Sequence, residues 1–445
     1  MKRRRDSRLT VLSAFTGAGG LDVGLEHAGF RTIACIENNA QARRTIQLNR
    51  SNWNLFEAGD IAAVTKGLAP SNLGLRKRQL SILAGGPPCQ PFSKAAQWAR
   101  GRRAGLADPR AKCLAAFLSL ADRFLPRVIL IENVPGFARG KTSAIPYIKA
   151  VLRRINREHG TRYRLESRIL NAADYGVPQR RERAILIARR DGKAVAWPSP
   201  SHKGRPVRVY DALHAVRSGP TPKAKGQWAG LLPAIPEGMN YLYHTEAGGG
   251  LPLFGARRRY WSFLLKLAKD KPAWTIPAQP GPATGPFHWR NRPLSVPELL
   301  RLQTFPTTWR VAGNRNAQVR QIGNATPPLL AEVVGRAIGA SMFQRQYDKR
   351  VRLGISRRRS IPRPSVTTPV PRKYHKLKGK QTAHPGEGKG PGALPKTGRR
   401  LATTTPERRV GRALRKRLVR SAVQLLRRSS KRPIPKRGSL ASRAA

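Results

Sequence analysis

Along the first part of the chain, short apolar runs alternate with longer segments in which apolar residues recur at helical spacing. The apolar runs that predict buried strands lie at 9–15, 32–36, 80–84, 127–131 and 183–188. The segments with helical periodicity lie between them, at 21–27, 39–48 and 113–124. This alternation predicts an α/β fold with a mostly parallel sheet, whose ligands bind beyond the carboxyl ends of the strands.

The pattern changes beyond residue 190. Between 191 and 285 the alternation fades and Gly, Pro, Trp and His become frequent, which predicts a smaller, loop-rich domain. Helical periodicity returns at 296–302 and 329–338. We therefore expect 286–345 to rejoin the domain formed by 1–190. The Pro-rich and Lys/Arg-rich sequence of 346–445 predicts a basic, disordered tail with one conditional helix near 410–426.

Charge is the strongest compositional signal. The 445 residues include 86 Lys and Arg against 23 Asp and Glu, a formal net charge of +63. Residues 351–445 hold 28 of the basic residues and two acids, a net charge of +26, which leaves +37 for residues 1–350. A surplus of this size favours a polyanionic partner, usually nucleic acid. The alternative is that part of this charge is solvated surface of an Arg-rich composition.

Apolar content and cysteine usage exclude several classes of protein. With 40% hydrophobic residues the chain can bury a core, but no apolar run approaches the roughly 20 residues that span a bilayer. The segment after the basic residues 1–8 is broken by glycines and Asp22, so no export signal is predicted. Cys35, Cys89 and Cys113 form neither a disulfide framework nor a zinc-ligand pattern. We expect a cytoplasmic protein without bound metal or membrane contact.

The turn after the first predicted strand can approach a ligand closely through Phe15, Gly17, Gly19 and Gly20. Asp22 stands where the dinucleotide pattern G-x-G-x-x-G requires its third glycine, so a pyrophosphate is not expected. Glu37, followed by Asn38, ends the next strand and can hold both ribose hydroxyls. Asp60, followed by Ile61, can reach an adenine amino group. S-adenosylmethionine fits this pattern; the alternative is a tight turn with two exposed strand-end acids.

A Gly- and Pro-rich loop, GGPPCQPFS, presents Cys89 at its apex, as suits a nucleophile. Cys35 and Cys113 lie in apolar segments and are interpreted as packing residues. Glu132 ends an apolar strand, where it can share a proton with a ring nitrogen and make the ring a better electrophile for the Cys89 thiolate. The alternative for Glu132 is a strand-end acid paired with one of the many arginines.

Several sequence segments, spread in a fixed order over roughly residues 9–340, resemble the C5-cytosine DNA methyltransferase family. Those that carry the resemblance are FTGAGGLDVGL from Phe15, the strand ending in Glu37, GDI at 59–61, GGPPCQPFS, ENVPGF from Glu132, QRRER at 179–183, RPLSVPELLRLQTFP from Arg292 and QIGNATPPLLAE from Gln321. The resemblance implies a Rossmann-like, S-adenosylmethionine-dependent methyltransferase domain. It also implies a target-recognition domain at 191–285 and double-stranded DNA as the partner.

The resemblance further implies a mechanism. The target cytosine is flipped out of the duplex, Cys89 adds to its C6, and Glu132 bonds N3 and the exocyclic amine. C5 then takes the methyl group of S-adenosylmethionine, and loss of the C5 proton releases the enzyme. Arg183, with Arg181 behind it, matches the family's QxRxR positions and would hold the cytosine O2.

The same resemblance assigns residues around the cofactor and the DNA. Asn324 matches a position near the cofactor, and Pro88 flanks the nucleophile. Residues 93–111 would form a mobile loop that closes over the DNA. The candidate DNA contacts are Gln90, Ser93, Lys94 and Arg103 near the nucleophile and Arg257, Arg258 and Arg259 in the recognition domain. The competing interpretation of these cations is ordinary basic surface.

The sequence thus predicts a bacterial DNA (cytosine-5-)-methyltransferase. It would act in restriction–modification, as a monomer at the nucleoid, with any cognate endonuclease acting separately. One alternative is a tRNA cytosine-5 methyltransferase, disfavoured by the 95 residues of 191–285. Another is a non-catalytic basic DNA-binding protein, disfavoured because Cys89, Glu132 and Arg183 are all present. Truncation after Tyr347 is expected to spare the chemistry and weaken duplex binding, because fewer counterions would be released.

Overall fold

The computed structural model describes residues 9–88, 112–140, 143–217, 221–254, 261–348 and 350–377. The strands of the main sheet are β1 (Thr10–Ala14), β2 (Arg31–Ile36), β3 (Asn54–Leu55), β4 (Ile82–Gly85), β5 (Val128–Asn133), β6 (Arg164–Asn171) and β7 (Glu182–Arg189). A short hairpin follows, formed by β8 (Phe287–His288) and β9 (Arg292–Pro293). The α-helices in these ranges are α1 (Gly20–His27), α2 (Ala40–Asn49), α3 (Ile61–Gly67), α4 (Lys112–Phe124), α5 (Pro135–Ala138), α6 (Ile145–His159), α7 (Val209–Leu213), α8 (Val296–Leu302), α9 (Arg315–Asn324) and α10 (Pro328–Phe343). No described helix is long and apolar enough to cross a membrane.

The sheet has the strand order β3-β2-β1-β4-β5-β7-β6. Strands β1 to β5 run parallel, whereas β7 is antiparallel to both β5 and β6. Ala14 at the end of β1 pairs with Ile36 on one side and with Gly85 on the other, so three strands end at one edge. The order reverses between β1 and β4, which is where an open parallel sheet binds its ligand. The predicted mostly parallel α/β fold is confirmed.

Two buried apolar clusters cover the faces of this sheet. Along β1, Val11 belongs to one cluster and Leu12 to the other, as the alternation of a strand requires. Helices α1 and α10 supply residues to the first cluster, and α4 and α6 supply residues to the second. Gly24 lets α1 approach α10, because a Cβ there would lie 2.3 Å from the carbonyl oxygen of Pro328. Residues from the beginning and the end of the described chain therefore share one core.

The described residues 229–254 and 261–287 surround a third apolar cluster. Its aromatic rings meet edge to face at centroid distances of 5.6 to 5.8 Å between Tyr241, Phe254 and Phe263. Its regular elements are short 3₁₀ turns at Ala229–Ala234 and Tyr241–His244 and the strand β8. A 2.7 Å hydrogen bond from the amide of Arg180 to the carbonyl of Ala273 joins this region to the approach of β7. The region has its own small core and few long elements.

Residues 350–377, called the strap below, pack along the rest of the chain. Their backbone amides donate to three carboxylates whose side chains are at most 4% exposed. The donor–acceptor pairs are Arg352 and Leu353 to Glu332 at 2.7 and 2.9 Å, Arg358 to Asp211 at 2.8 Å, and Ser365 to Glu237 at 2.9 Å. Glu332 lies in α10, Asp211 in α7 and Glu237 beside the third apolar cluster. The strap therefore connects the sheet domain to residues 229–287.

The last turn of the strap is buried on the third cluster. The ring of Tyr374 stacks on Trp228 at 6.1 Å, and its hydroxyl donates to the carbonyl of Gln227 at 2.7 Å. Although most of its residues are exposed, the strap thus makes contacts with the rest of the chain as far as Leu377, beyond residue 345, after which the tail is predicted to begin. These contacts could not be predicted from the sequence, because the buried apolar residues of the strap occur singly among Pro and Arg residues. Truncation after Tyr347 would remove the strap together with the tail.

Candidate active site

The turn after β1 is held to the end of β2 by the carboxylate of Glu37. The amide of Gly17 donates to one carboxylate oxygen and the amide of Asn39 to the other, both at 2.7 Å. Phe15 and Gly17 each have a φ of 57°, so the turn uses left-handed backbone conformations. A carboxylate accepts up to about four hydrogen bonds. Glu37 can therefore hold the turn and still accept donors from a ligand.

Asp60 lies at the same edge, at the start of α3. Its exposed carboxylate caps this helix by accepting a backbone amide of the first turn at 2.6 Å. Gly59 packs so closely against the end of β2 that a Cβ would lie 2.8 Å from the carbonyl oxygen of Glu37. Ile61 is buried and Asn38 is exposed. The two acids, 23 positions apart in sequence, thus belong to adjacent turns of one edge.

The connection between α9 and α10 packs against the glycine turn. A Cβ on Gly20 would lie 2.2 Å from the carbonyl oxygen of Thr326, so only glycine permits this approach. Asn324, the last residue of α9, is exposed two positions earlier. The half-buried ring of Phe15 lies 6.4 Å from the ring of Phe117 in α4. The structure therefore gathers the predicted cofactor residues of the first two strand ends and of α3 at the carboxyl edge of β1 and β2, with the connection that follows Asn324 packed against them.

Glu132 and Arg183 form an ion pair at the end of β5. The Nε atom of Arg183 lies 2.8 Å from Oε1 of Glu132, and their side chains are 12% and 9% exposed. The pairing of Glu132 with Ile185 places Arg183 two residues away along the antiparallel β7. The guanidinium also donates to the carbonyl of Glu182 at 2.8 Å. Two predicted functional residues, 51 positions apart, are thus paired away from bulk water.

The loop after β4 approaches this pair. A Cβ on Gly86 would lie 3.4 Å from Oε2 of Glu132, so the loop backbone passes close to the carboxylate. Asn133 donates its side-chain amide to the carbonyl of Pro87 at 2.8 Å. Asn133 was not among the predicted site residues, although it directly follows Glu132 in the sequence. It fixes the chain two residues before Cys89.

The remaining predicted residues lie outside the described residues; they are Cys89, Gln90, Ser93, Lys94, Arg103, Arg257, Arg258 and Arg259. Pro88, the last described residue before Cys89, is half-buried. Trp261, the first described residue after Arg259, is 52% exposed. The roles assigned to the undescribed residues stay predictions.

Arg181 is almost fully buried, at 1% exposure. Its guanidinium donates to the backbone carbonyls of Gly323 at 2.6 Å, Ala325 at 3.0 Å and Ile276 at 3.4 Å. Gly323 and Ala325 flank Asn324, so Arg181 fixes the end of α9 at the cofactor edge. This geometry favours a positioning role for Arg181.

Asp22, which the sequence marks only as an interruption of a glycine pattern, is fully buried in α1 beneath the glycine turn. Neither carboxylate oxygen has a well-formed hydrogen bond among the described residues. Burial raises the pKa of Asp22 to about 7, against a smaller lowering by the hydroxyl of Ser13. The sequence signal that could have identified this buried acid is the position of its carboxyl between two apolar residues, Leu21 and Val23.

The free energy of unfolding is expected to fall as pH rises from 3.8, the unfolded pKa of Asp22, to about 7, its folded pKa. Below that window the carboxyl is neutral in both states, and above it the folded protein holds a buried charge. Asp22→Asn should therefore stabilise the protein by up to about 4 kcal/mol at about pH 8. Thermal unfolding at about pH 5 and about pH 8 measures this effect, with Glu57→Gln at an exposed acid as control. An Asp22→Asn variant with the wild-type pH dependence would contradict the assignment.

Residues 9–340 match the family model described as C-5 cytosine-specific DNA methylase. The type II methyltransferase M.SacI of Streptomyces achromogenes is 33% identical over 367 residues, which cover 74% of this chain and 92% of that protein. M.Eco47II of Escherichia coli is 33% identical over 356 residues, which cover 74% and 78%. Among solved structures, the methyltransferase EhMeth of Entamoeba histolytica aligns with a TM-score of 0.51 at 16% identity, covering 75% of this chain and 99% of its own, which shows the fold.

The seven-stranded sheet, with a glycine turn and acids at its carboxyl edge, defines a Rossmann-like methyltransferase that uses S-adenosylmethionine. The chain belongs to the C-5 cytosine-specific DNA methylase family, since the family model covers most of it and relatives one third identical align over nearly three quarters of it. It is a DNA cytosine methyltransferase, and DNA is its substrate.

Proposed function

We propose that the protein methylates C5 of a flipped-out cytosine within a short duplex sequence, as the modification enzyme of a type II restriction–modification system. The observation that carries this proposal is the buried Glu132–Arg183 pair beside the backbone that leads to Cys89. Relatives named as type II methyltransferases support the restriction–modification context. The protein would act as a monomer, and a cognate endonuclease would cut the unmodified site separately.

The proposed reaction begins with bond formation between the Cys89 thiolate and C6 of the cytosine. As this bond forms, N3 takes a proton from Glu132, and the electron pair of the former C5–C6 double bond makes C5 nucleophilic. S-adenosylmethionine supplies an electrophilic methyl group. A base then removes the C5 proton, the bond from Cys89 to C6 breaks to regenerate the thiolate, and N3 returns its proton to Glu132, which restores the aromatic ring.

The Glu132–Arg183 pair suits the polar edge of a cytosine. Oε1 of Glu132 lies 2.8 Å from Nε of Arg183 without a well-formed hydrogen bond, while Oε2 lies near the Gly86 backbone at the start of the cysteine loop. A guanidinium has five N–H donors in a planar fork, so Arg183 can orient Glu132 and still donate to O2 of the base. Burial strengthens both interactions by excluding water.

The cofactor edge supports the predicted contacts with S-adenosylmethionine. Glu37 would accept hydrogen bonds from the ribose hydroxyls, and the exposed Asp60 would accept one from the adenine amino group, with Phe15 offering a ring face. Asn324 and Pro88 would flank the methionine portion of the cofactor.

On the DNA side, the proposed contacts divide into two sets. Gln90, Ser93, Lys94 and Arg103 would follow the nucleophile on the loop that closes over the duplex. Arg257, Arg258 and Arg259 would approach the DNA from the region of the third apolar cluster. Part of the second set is expected to hold phosphates, which position the duplex, and part to read base edges.

Glu132→Gln is expected to lower kcat for methyl transfer by about 100-fold or more, because an amide cannot supply the proton to N3. The KM for S-adenosylmethionine should stay near the wild-type value, since Glu132 lies on a different strand from Glu37. Steady-state methylation of cognate duplex measures both constants. Glu182→Gln, which changes an exposed acid one residue from Arg183, is the matched control, and equal rates for the two variants would refute the role of Glu132.

Bisulfite sequencing of DNA from cells that express the protein, beside cells that lack it, tests the proposed function. Protected cytosines in one short duplex context are the expected result, and the context gives the recognition sequence. Bisulfite sequencing of tRNA from the same cells tests the competing RNA substrate. The third apolar cluster, formed by residues additional to the sheet domain, favours DNA, because the tRNA alternative does not account for the long segment 191–285. Protection in tRNA alone would overturn the proposal.

A further inference from the structure

Trp261 is the only exposed tryptophan among the described residues, with 52% of its surface accessible. Its ring meets Trp274 edge to face, at a centroid distance of 5.5 Å and an interplanar angle of 72°. The guanidinium carbon of Arg180 lies 5.3 Å from the ring centroid of Trp274. We call these three residues, Arg180, Trp261 and Trp274, the aromatic platform.

The backbone of the platform is held by hydrogen bonds from two parts of the chain. Asn240 donates its side-chain amide to the carbonyl of Trp261 at 2.8 Å. The carbonyl of Arg180 accepts the Thr275 hydroxyl at 2.8 Å, and its amide donates to the residue before Trp274 at 2.7 Å. The side chains are therefore presented from an anchored backbone rather than from a free loop end.

The platform also lies close to the catalytic pair along the chain. Arg180 precedes Arg183 by three residues in the approach to β7, a separation of at most about 10 Å. The segment that carries Trp261 directly follows Arg257, Arg258 and Arg259. The platform therefore combines an exposed indole with a guanidinium that lies three residues from Arg183 along the chain.

An exposed indole next to a guanidinium matches the chemistry of a nucleotide. The indole face can stack on a base or pack on a deoxyribose, and the guanidinium can hold the adjoining phosphate. A polyanion is favoured over a protein partner, because the chain has a net charge of +63. The contact of Arg180 with Trp274 pre-orders the cation and reduces the entropy lost on binding.

We propose that the aromatic platform docks a strand of the duplex beside the target cytosine, with Trp261 against a nucleotide and Arg180 against its phosphate. This docking positions the DNA and takes no part in the covalent chemistry. It depends on DNA as the substrate and not on the roles proposed for Cys89 and Glu132. Its failure is therefore separate from theirs.

Intrinsic tryptophan fluorescence of the full chain, titrated with a short mixed-sequence duplex, reports on the platform directly. Binding is expected to quench the wild-type emission, and Trp261→Phe should lose most of that quench. Trp261→Ala should raise the KM for cognate duplex about 10-fold, the loss expected for one stacking contact, with the KM for S-adenosylmethionine unchanged. Arg180→Ala should reduce the slope of log binding constant against log salt by about one.

A second Arg–Trp pair in the protein supplies the matched control. Arg168 of β6 lies 5.2 Å from the ring centroid of the half-buried Trp197. Trp197→Phe should keep the quench caused by the duplex, and Trp197→Ala should keep the wild-type KM for DNA. A quench that survives in Trp261→Phe, or equal KM values for Trp261→Ala and Trp197→Ala, would overturn the proposal.

Discussion

Substitution of Cys89 by alanine is expected to abolish methyl transfer while leaving folding and S-adenosylmethionine binding unchanged. The carbon C5 of a neutral cytosine is a weak nucleophile, and the proposed thiolate addition at C6 is what activates it. Alanine at this position has no group that can form the bond. The approach to Cys89 stays fixed in the variant, since Asn133 holds the carbonyl of Pro87 through its own side chain.

The other two cysteines provide an internal comparison. Burial raises the pKa of Cys113, and burial raises the pKa of Cys35 well above its usual value. Both thiols are therefore protonated near neutral pH and unreactive as nucleophiles. Cys113→Ala should retain wild-type activity.

A duplex that carries 5-fluorocytosine at the target position separates a chemical role for Cys89 from a structural one. Fluorine at C5 cannot leave as a proton, so the bond to C6 persists and the complex survives denaturing electrophoresis. The wild type and Cys113→Ala should form this complex, whereas Cys89→Ala should not. A covalent complex or residual methylation in Cys89→Ala would move the nucleophile elsewhere.

The predicted strands that appear in the structure share one property, burial on both faces. β1, β4 and β5 are short apolar runs in the sequence and are fully buried in the sheet. β6 was not predicted, because it is an edge strand whose sequence RLESRILN carries three charged residues and is largely accessible. The helix α6 was also missed, although Ile148, Val151, Leu152 and Ile155 recur there at helical spacing. Edge position explains the first omission, while the second was visible in the sequence.

The residues of the candidate site also divide into those that could be predicted from the sequence and those that could not. Strand-end residues such as Glu37 and Glu132 could be predicted, because a parallel sheet gathers the carboxyl ends of its strands. The antiparallel β7 could not be predicted from its apolar run alone, yet its direction places Arg183 beside Glu132. The burial of Asp22 depends on α1 packing against a helix that lies some 300 residues away in sequence. Such long-range partners leave no local pattern.

The strap is the clearest case of a structured segment that no local sequence pattern predicts. It uses three of only 23 acidic residues in the chain, and each accepts a hydrogen bond from a strap amide. Burial would raise the pKa of Asp211, but hydrogen bonds from Arg208 and from the amide of Arg358 outweigh it, so the pKa is lowered. The strap thus helps to keep a buried carboxylate charged.

Two truncations should therefore give different results, and the one that removes the strap should have the larger effect on stability. Truncation after Leu377 removes 20 Lys and Arg and two acids but keeps the strap. We expect its melting temperature to match the wild type, with weaker duplex binding and a flatter dependence on salt, because fewer counterions are released. Truncation after Tyr347 also deprives Glu332, Asp211 and Glu237 of their amide partners.

The second truncation should lower the free energy of unfolding by several kcal/mol. Each of the three buried carboxylates keeps its Lys or Arg partner but loses amide hydrogen bonds, and a hydrogen bond to a charged group contributes about 1.5–3 kcal/mol. That loss is comparable with the total stability of many domains, about 5–15 kcal/mol, so the shorter protein is expected to be largely insoluble or unfolded. Thermal unfolding and urea titration of the full chain and both truncations measure the difference. Equal stability of the two truncations would show that the strap contacts contribute nothing.

A point variant tests the same contacts without shortening the chain. Tyr374→Ala removes the ring that stacks on Trp228 and the hydroxyl bond to Gln227, and it leaves every basic residue in place. It should lower stability by about 3 kcal/mol, as for other large-to-small changes at buried aromatic rings, with the salt dependence of DNA binding unchanged. Val366→Ala, at a 95% exposed strap position, is the control and should have no effect. If both variants melt with the wild type, the strap is not part of the folded core, and the chain could be cut after Tyr347 with the loss of DNA affinity alone.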